Sequence, residues 1–410
     1  MSCIFLTLAI KRSINEGLII SPYLIVVLVF FMTLAYPLLS NQNDFSVDYL
    51  VLISIVLLSF FIFLVFIPDS KWFSRRLSLT KSRCISDFLV NALSFVYFLI
   101  VFNDIVVSTS GFSSLGDFVF RDRVSAYLSG GIAKGSALQL VSLIPSICYY
   151  ILIGKSLNRG RYLLSFFLVF YLVVYYFLTA NTRLPILFPL AAFFSYIMYF
   201  KYNNLTKKHG FLILAFSVCF VFLFGFFSNL IRHGIKGLET DVLSGMHQQN
   251  VNQFRYPEWV EDLVSKINGD LIPLEYGFNW FVMPLVNIVP RFIWETKPIT
   301  STSNILSESV YNIKIGQGDP ITTFTIWGEA YWQFHFLGVF LALFLFFMLF
   351  FVFSNYVLKY ENTEFYVFYV LINWIPFVRA ELPVFFVVTH VVAFFIIVQC
   401  SRVITYTWRR

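Results

Sequence analysis

The chain repeats one feature along most of its length: apolar runs of about 17 to 25 residues, long enough to cross a bilayer core as a helix. Charged residues make up only 12% of the 410 residues and hydrophobic ones 59%, which leaves too little polar surface for a water-soluble fold. The period-two alternation of membrane β-strands is absent. The sequence therefore predicts an all-α, polytopic integral membrane protein.

About ten transmembrane helices fit the apolar runs, at 18–39, 49–67, 86–107, 136–153, 162–178, 184–200, 211–231, 334–357, 365–378 and 383–400. They predict a membrane domain over 1–231 with spans one to seven, a large outer loop over 232–333, and a second membrane segment over 334–410 with spans eight to ten. Residues 278–294 of the loop are apolar but contain Pro284 and Pro290. We interpret them as a re-entrant or interfacial helix; an eleventh span is the alternative.

The distribution of Lys and Arg predicts the orientation. They concentrate in one alternating set of short loops and at the C-terminus, among them Arg75, Arg76, Lys155, Arg159, Lys207 and Lys208. The positive-inside rule places such loops, and hence both termini, in the cytoplasm. The formal net charge of +7 has the same origin, so it does not indicate a nucleic-acid partner.

A second group of cations lies where the predicted outer loops meet the bilayer: Arg121, Arg123, Arg183, Arg232, His233, Arg291 and Arg379. A single Arg at a helix end commonly extends to lipid headgroups. A group of them on one face suits a lipid-linked phosphate or pyrophosphate, because a guanidinium grips two oxygens at once. Arg183 stands in a five-residue turn before Pro185, so it either reaches headgroups or points into a cleft. Asp104, near the outer end of the third predicted span, either has a function or reaches water.

Glu329 stands in the segment WGEAYWQFH, just before the eighth predicted span. Its aromatic neighbours, including Tyr331, are typical of an interfacial belt, but aromatics beside a carboxylate also suit a site where a base removes a proton from a sugar hydroxyl. His335 lies six residues after Glu329, so the two would not share a helical face, and no dyad is predicted. The scattered histidines and the lack of DxD spacing favour no metal site and no cofactor.

The segments PRFIWETKPIT and GDPITTFTIWGEAYWQFHFLG resemble the bacterial O-antigen and capsule repeat-unit polymerases, the Wzy family. The resemblance lies in the many spans, in one large late loop and in three loose motifs. These are Pro290-Arg291 followed by Lys297-Pro298, then Gly328, Glu329, Tyr331 and Gly338, and the Thr182-Arg183 turn.

The resemblance implies a fold similar to the GT-C-like membrane glycosyltransferases, in the bacterial inner membrane, with the large loop in the periplasm. The implied enzyme joins oligosaccharide units carried on undecaprenyl pyrophosphate, without a metal, alongside a chain-length regulator and a flippase. Arg183 and Arg291 would stabilise the leaving pyrophosphate and Glu329 would be the base, with His335 second. Arg121, Arg123, Arg232, His233, Lys297 and Tyr331 are then candidate substrate-binding residues.

Two alternatives remain open. An O-antigen ligase would use the same donor and the same arginine chemistry. A flippase or transporter for the lipid-linked unit belongs to another class, and transporters usually show repeated halves and charges near the bilayer midplane. Here the charges lie at the outer surface and the large loop interrupts any symmetry.

Overall fold

A computed structural model of the chain describes residues 45–66, 84–109, 136–179, 189–190, 192–193, 196–197, 256–289, 293–294, 296, 302–312, 324–380 and 384–407. These residues form helices, turns and connecting segments, with no β-strand among them. The helices are α1 (Val47–Phe66), α2 (Asp87–Thr109), α3 (Ser136–Asn158), α4 (Tyr162–Thr179), α5 (Tyr256–Asn268), α6 (Phe278–Phe281), α7 (Met283–Ile288), α8 (Thr302–Tyr311), α9 (Thr325–Val357), α10 (Glu364–Ala380) and α11 (Val384–Thr407).

Three of these helices are long and apolar enough to cross a membrane by length and composition: Asp87–Val106, Thr325–Val357 and Phe386–Thr407. Their outer faces are apolar as well. Phe88, Phe95 and Phe102, spaced seven residues apart on α2, are all more than half exposed, as expected where lipid rather than water surrounds a helix. The prediction of a mostly helical chain is confirmed for the described residues, and three of their helices are candidate membrane spans.

Helix α10 lies at the centre of the bundle, since every residue from 365 to 372 is buried. On one side α10 packs against α9, and α9 also contacts α1, α5 and α11. On the other side α10 packs against α3, and α3 also contacts α2, α4, α7 and α11. Because a short turn after Val357 leads directly into α10, α9 and α10 run antiparallel. The start of α9 therefore lies at the end of the bundle where α10 finishes, which is the outer end in the predicted topology.

The opposite end of the bundle contains an ion pair between a buried lysine and an exposed aspartate. Lys155, predicted to lie in a loop, is instead in the last turn of α3 with only 8% of its side chain exposed, and its Nζ is 2.5 Å from Asp87 Oδ1. Arg159 approaches the other oxygen of Asp87 at 3.4 Å. The pair joins the end of α3 to the start of α2, where the acidic Asp87 also suits the helix dipole.

Within the segment predicted as an interfacial or re-entrant helix over 278–294, the structure describes two short helices, α6 and α7. Pro284 stands in the first turn of α7, where its missing N–H is tolerated. Val289 ends α7 in an extended conformation (φ −71°, ψ 120°), as expected for the residue before a proline. α7 packs against α11 and α3, so this part of the large loop lies on the helix bundle.

Candidate functional site

Helix α9 is sharply kinked near its start. Phe334 (φ −144°, ψ 25°) and His335 (φ 57°, ψ −145°) are both non-helical. The His335 conformation is one that residues other than glycine rarely adopt. The kink brings the Ala330 carbonyl oxygen to 1.9 Å from the position that a Cβ on Gly338 would occupy, so only glycine fits there. The predicted eighth span, from residue 334, begins at this kink.

The connecting segment 269–277 packs against the kink and fixes it. Backbone groups freed by the break need new partners, and the Trp332 carbonyl accepts a hydrogen bond from the Glu275 N–H at 3.2 Å. The Trp332 indole donates to the Pro273 carbonyl at 3.0 Å. Gly277 has φ 84°, and a Cβ there would lie 2.6 Å from the Phe334 ring. Close packing therefore holds the strained residues in place.

A cluster of four polar side chains, which we call the kink cluster, forms beside this break: Asp48, Asn268, Tyr331 and His335. The Tyr331 hydroxyl lies 2.7 Å from Asn268 Oδ1 and 2.7 Å from His335 Nε2. His335 Nε2 is also 3.1 Å from Asn268 Oδ1. Asn268 Nδ2 donates to Asp48 Oδ2 at 2.6 Å. The starts of α1 and α9 and the end of α5 thus meet at one point.

These contacts define which nitrogen of His335 carries the proton. The Asp48 carboxylate only accepts hydrogen bonds, so it fixes the Asn268 amide with Nδ2 toward Asp48 and Oδ1 toward Tyr331 and His335. An amide oxygen is itself only an acceptor, which makes Nε2 the protonated nitrogen of a neutral His335. Nδ1 is then a proton acceptor, and it makes no hydrogen bond to any residue that the structure describes. His335 is partly exposed, while Asp48 and Asn268 are exposed.

Glu329 and Tyr331 both lie in the first turns of α9, in different surroundings. Tyr331 belongs to the kink cluster through its hydroxyl, although its ring is fully buried. Glu329 is 2% exposed, and the residue before it, Gly328, faces Val260 and Leu263 of α5. The structure therefore brings Tyr331 and His335 together and places Glu329 inside the protein.

The predicted cationic residues Arg121, Arg123, Arg183, Arg232, His233, Arg291 and Lys297 lie outside the described residues. Their convergence on one pocket stays a prediction. Arg379 falls within α10, one residue before its end at Ala380, so its backbone lies at the end of the bundle that is predicted to be the outer one. Among the side chains that the structure describes, no group of three His, Cys, Asp or Glu could hold a metal ion.

A second polar region, which we call the tyrosine cavity, lies between α2, α3, α4, α10 and α11. It has a volume of about 680 Å³ and is lined by five tyrosines, namely Tyr97, Tyr150, Tyr175, Tyr176 and Tyr369. The Tyr176 hydroxyl lies 3.0 Å from that of Tyr369 and 3.4 Å from that of Tyr150. Tyr175 donates to Asp104 Oδ2 at 3.2 Å. The sequence left open whether Asp104 has a function or reaches water. In the structure it lines this cavity, near the predicted outer end of α2.

Sequence reasoning missed most of both regions. Asn268 and Asp48 carry no local signal, because each is an ordinary polar residue at a helix end. The five tyrosines occur inside apolar runs, where a phenol is compatible with either lipid or protein contact. Their spacing within single helices does not predict which hydroxyls face one another across four helices.

Comparison with known proteins found no matching family model, curated protein or solved structure.

Proposed function

We propose that this protein is a glycosyltransferase that joins undecaprenyl-pyrophosphate-linked oligosaccharide units at the periplasmic face of the bacterial inner membrane. The observation that supports it most is the kink cluster, where His335 has its proton on Nε2 and an acceptor at Nδ1. A partly exposed histidine at the outer end of a membrane bundle is suited to act as a general base on a sugar hydroxyl presented from the membrane surface.

The proposed reaction is a displacement at an anomeric carbon. A hydroxyl of the incoming unit attacks C1 of the growing chain, and its proton passes to His335 Nδ1. The new C1–oxygen bond forms as the C1–phosphate oxygen bond breaks, and undecaprenyl pyrophosphate leaves. Arg183 and Arg291, with Arg121, Arg123, Arg232, His233 and Lys297 as further contacts, are proposed to stabilise the negative charge of the leaving group. Asn268 and Asp48 act as positioning residues for His335.

In this proposal His335 takes precedence over Glu329 as the base. The Glu329 side chain is only 2% exposed, so a sugar hydroxyl does not reach its carboxylate in this conformation. Glu329 is then a candidate for a role inside the protein. The sequence favoured Glu329 first and His335 second, and the proposal reverses that order.

The test is complementation of a strain lacking this gene, read from the length distribution of its surface polysaccharide. His335→Ala is expected to lower polymerisation by about 10²- to 10⁴-fold, the usual contribution of a general base, and to leave single repeat units attached. Ser309→Ala is the control, because Ser309 is exposed on α8 and its hydroxyl donates only to Ile305 of the same helix. Long polymer in the His335→Ala strain would refute the assignment, and complete loss of attached units would instead indicate a ligase.

The proposed leaving-group role predicts a second result. Arg291→Lys is expected not to restore long polymer, because a point charge does not replace a planar guanidinium that binds two oxygens. Normal chain length in that strain would rule out this role for Arg291. The parent gene in the same vector is the reference.

A transporter of lipid-linked oligosaccharide is the second candidate, and the tyrosine cavity is the observation that favours it. Asp104 and His390 both line a cavity between helices, and ionisable groups of this kind line substrate and proton paths in transporters. A strain lacking a flippase accumulates the lipid-linked unit on the cytoplasmic leaflet, whereas a strain lacking a polymerase exposes it outside. The side on which the unit accumulates separates the two.

A further inference from the structure

Helices α6 and α7 present a row of apolar side chains to the outside of the protein. Val282 between them keeps a helical conformation (φ −92°, ψ −48°), and backbone hydrogen bonds run from Val282 to Phe278 and from Val286 to Val282. The two helices therefore share one face. Phe278, Phe281, Val282 and Leu285, which we call the outer stripe, have the i, i+3, i+4, i+7 spacing of an amphipathic helix and are between 41% and 62% exposed.

The opposite face of the same two helices is buried and packs against the kink of α9. Asn279, Trp280 and Met283 are all buried, and the centroid of the Trp280 ring lies 5.8 Å from that of the Phe334 ring. An amide thus lies inside, while four apolar side chains lie outside. Water would favour the reverse arrangement, because the hydrophobic effect drives apolar side chains inward. The observed arrangement suits a helix whose outer face is covered by hydrocarbon.

The residues on either side of the outer stripe extend the exposed apolar surface. Leu271 and Tyr276 precede the stripe, Ile293 and Trp294 follow it, and all four are exposed. Single apolar side chains scattered over a surface in water are normal, but a large group of them marks a contact with a membrane or a partner. Tyr and Trp in such a group are typical of the boundary between lipid and water.

The position of α7 indicates that the contact is with lipid. α7 packs against α11, where residues Phe386–Thr407 are a candidate membrane span. α6 lies against the kink of α9, the helix that forms another candidate span, and Leu337, Phe340 and Phe344 beyond the kink are exposed as well. In a membrane, hydrocarbon surrounds both spans. The same hydrocarbon therefore covers the outer stripe without any further partner.

We propose that the outer stripe inserts among the lipid acyl chains of the leaflet at this end of the bundle, the outer leaflet in the predicted topology, and so holds the kink of α9 at the membrane surface. Interfacial helices bury their apolar face about 5–10 Å into the boundary between headgroups and acyl chains. The sequence predicts only that 278–294 is interfacial or re-entrant. The packing of Trp280 and Gly277 against Phe334 specifies the face that enters the lipid and connects it to the kink.

Photo-crosslinking of the full-length protein in nanodiscs tests the lipid contact directly. The nanodiscs contain phosphatidylethanolamine and phosphatidylglycerol, and p-benzoyl-phenylalanine replaces Phe281, Phe95 or Ser309 one at a time. Phe95 on α2 is the lipid-facing reference, and Ser309, exposed on α8, is the water-facing reference. We expect a phospholipid adduct at Phe281 with a yield within about twofold of that at Phe95 and about tenfold above that at Ser309. Fragment masses should place the attachment on an acyl chain.

Hydrogen exchange in the same nanodiscs tests the connection to the kink. Leu285→Glu places a carboxylate in the outer stripe, where hydrocarbon disfavours a charge, and Ser309→Glu adds the same charge on α8. We expect the backbone amides of residues 331–338 to exchange about tenfold faster in Leu285→Glu and within about twofold of the parent in Ser309→Glu. Unchanged exchange at residues 365–372 of α10 shows that the variant is folded, and the crosslinking does not depend on it.

Three outcomes would overturn the proposal: an adduct yield at Phe281 no higher than at Ser309, a crosslink from Phe281 to this chain or to a second copy in place of lipid, or unchanged exchange at 331–338 in Leu285→Glu. Neither experiment requires the protein to transfer sugar. A lipid adduct in a protein that makes no polymer refutes only the proposed function. Polymer formation by a protein that forms no lipid adduct at Phe281 refutes only the role of the outer stripe.

Discussion

The kink cluster and the tyrosine cavity each hold a histidine, and the two histidines have opposite tautomers. His335 carries its proton on Nε2, because Asn268 and Tyr331 engage that atom. His390 carries it on Nδ1, because the carbonyl of Phe386, one helical turn earlier, engages that one. The first arrangement depends on residues from three separate helices, and the second forms within a single helix.

This difference has a structural consequence. His390 keeps its arrangement as long as α11 stays helical. His335 keeps its arrangement only while the kink of α9 persists, in a backbone conformation that costs about 1–3 kcal/mol for a residue other than glycine. Strain of this kind is retained only where the surrounding packing enforces it, and it is common at functional sites. The kink cluster should therefore be much more sensitive to remote substitutions than the cavity.

The largest effect is expected from Gly338→Ala. The new Cβ would lie 1.9 Å from the Ala330 carbonyl oxygen, so the kink must open and carry His335 away from Tyr331. We expect a loss of unfolding free energy of about 3 kcal/mol and loss of polymerisation. Thermal unfolding in detergent, followed by intrinsic fluorescence, measures the first.

Gly269→Ala is the matched control for Gly338→Ala. A Cβ on Gly269 meets nothing closer than the Ser265 carbonyl oxygen at 3.3 Å, which a small shift accommodates. Its melting temperature should stay close to that of the parent protein. Equal melting temperatures for Gly338→Ala and the parent would show that the kink is not needed for stability.

The orientation of His335 can be tested by exchanging two side chains. Asn268→Asp places a second carboxylate next to Asp48, whose Oδ2 now accepts from Asn268 at 2.6 Å, so the two charges repel. We expect a loss of activity of about 10- to 100-fold, the range found when residues that orient the ligands of a metal site are replaced. The double variant Asp48→Asn/Asn268→Asp keeps one amide donor between these positions and should recover most of the activity. A double variant as inactive as the single one would argue against this positioning role.

Substitutions in the tyrosine cavity are expected to lower the unfolding free energy less than Gly338→Ala does. Tyr176→Phe removes the hydroxyl that lies between those of Tyr150 and Tyr369, with an expected loss of about 1–2 kcal/mol of unfolding free energy. Tyr171→Phe is the control, because its hydroxyl makes one exposed hydrogen bond to the Phe98 carbonyl at 3.1 Å. A larger loss in the control would contradict the view that the buried hydroxyls form one connected group.

Much of the helical architecture could be predicted from hydrophobicity alone. The apolar runs at 86–107, 162–178 and 365–378 differ from α2, α4 and α10 by at most two residues at either end. Lys155 shows the limit of the same reasoning. Its charge fits the positive-inside pattern, but its burial against Asp87 depends on how α2 and α3 pack, which composition does not encode.

Part of the candidate site could also be predicted from the local sequence pattern. Tyr331 and His335 stood out because polar and aromatic residues gather before a long apolar run. Asn268 is separated from Asp48 by 220 positions, and only the packing of α5 against α1 and α9 brings them together. The kink itself depends on a contact between Gly338 and Ala330 that becomes visible only in three dimensions.

The smallest effect is expected for Glu275, whose backbone N–H donates a hydrogen bond to the Trp332 carbonyl beside the kink. Partial burial raises the pKa of the Glu275 carboxyl above its ordinary value. The folded protein therefore binds this proton more tightly than the unfolded chain, and stability falls as pH rises through the window between the two pKa values. Above that pH window, the partly buried, charged carboxylate lowers the stability by its full amount. Below it, the carboxyl is protonated in both states and this destabilisation is absent.

Glu275→Gln removes this penalty and should raise the melting temperature at pH 7.5, with the gain disappearing near pH 4. The gain in free energy should be well below about 1 kcal/mol, because the carboxyl is still partly solvated. Glu308→Gln, on an exposed position of α8, makes the same charge change and is the control. If the two variants show the same pH dependence, the effect comes from net charge and not from the surroundings of Glu275. If only Glu275→Gln gains stability at high pH, the segment 269–277 is packed against the kink closely enough to disfavour a charge there.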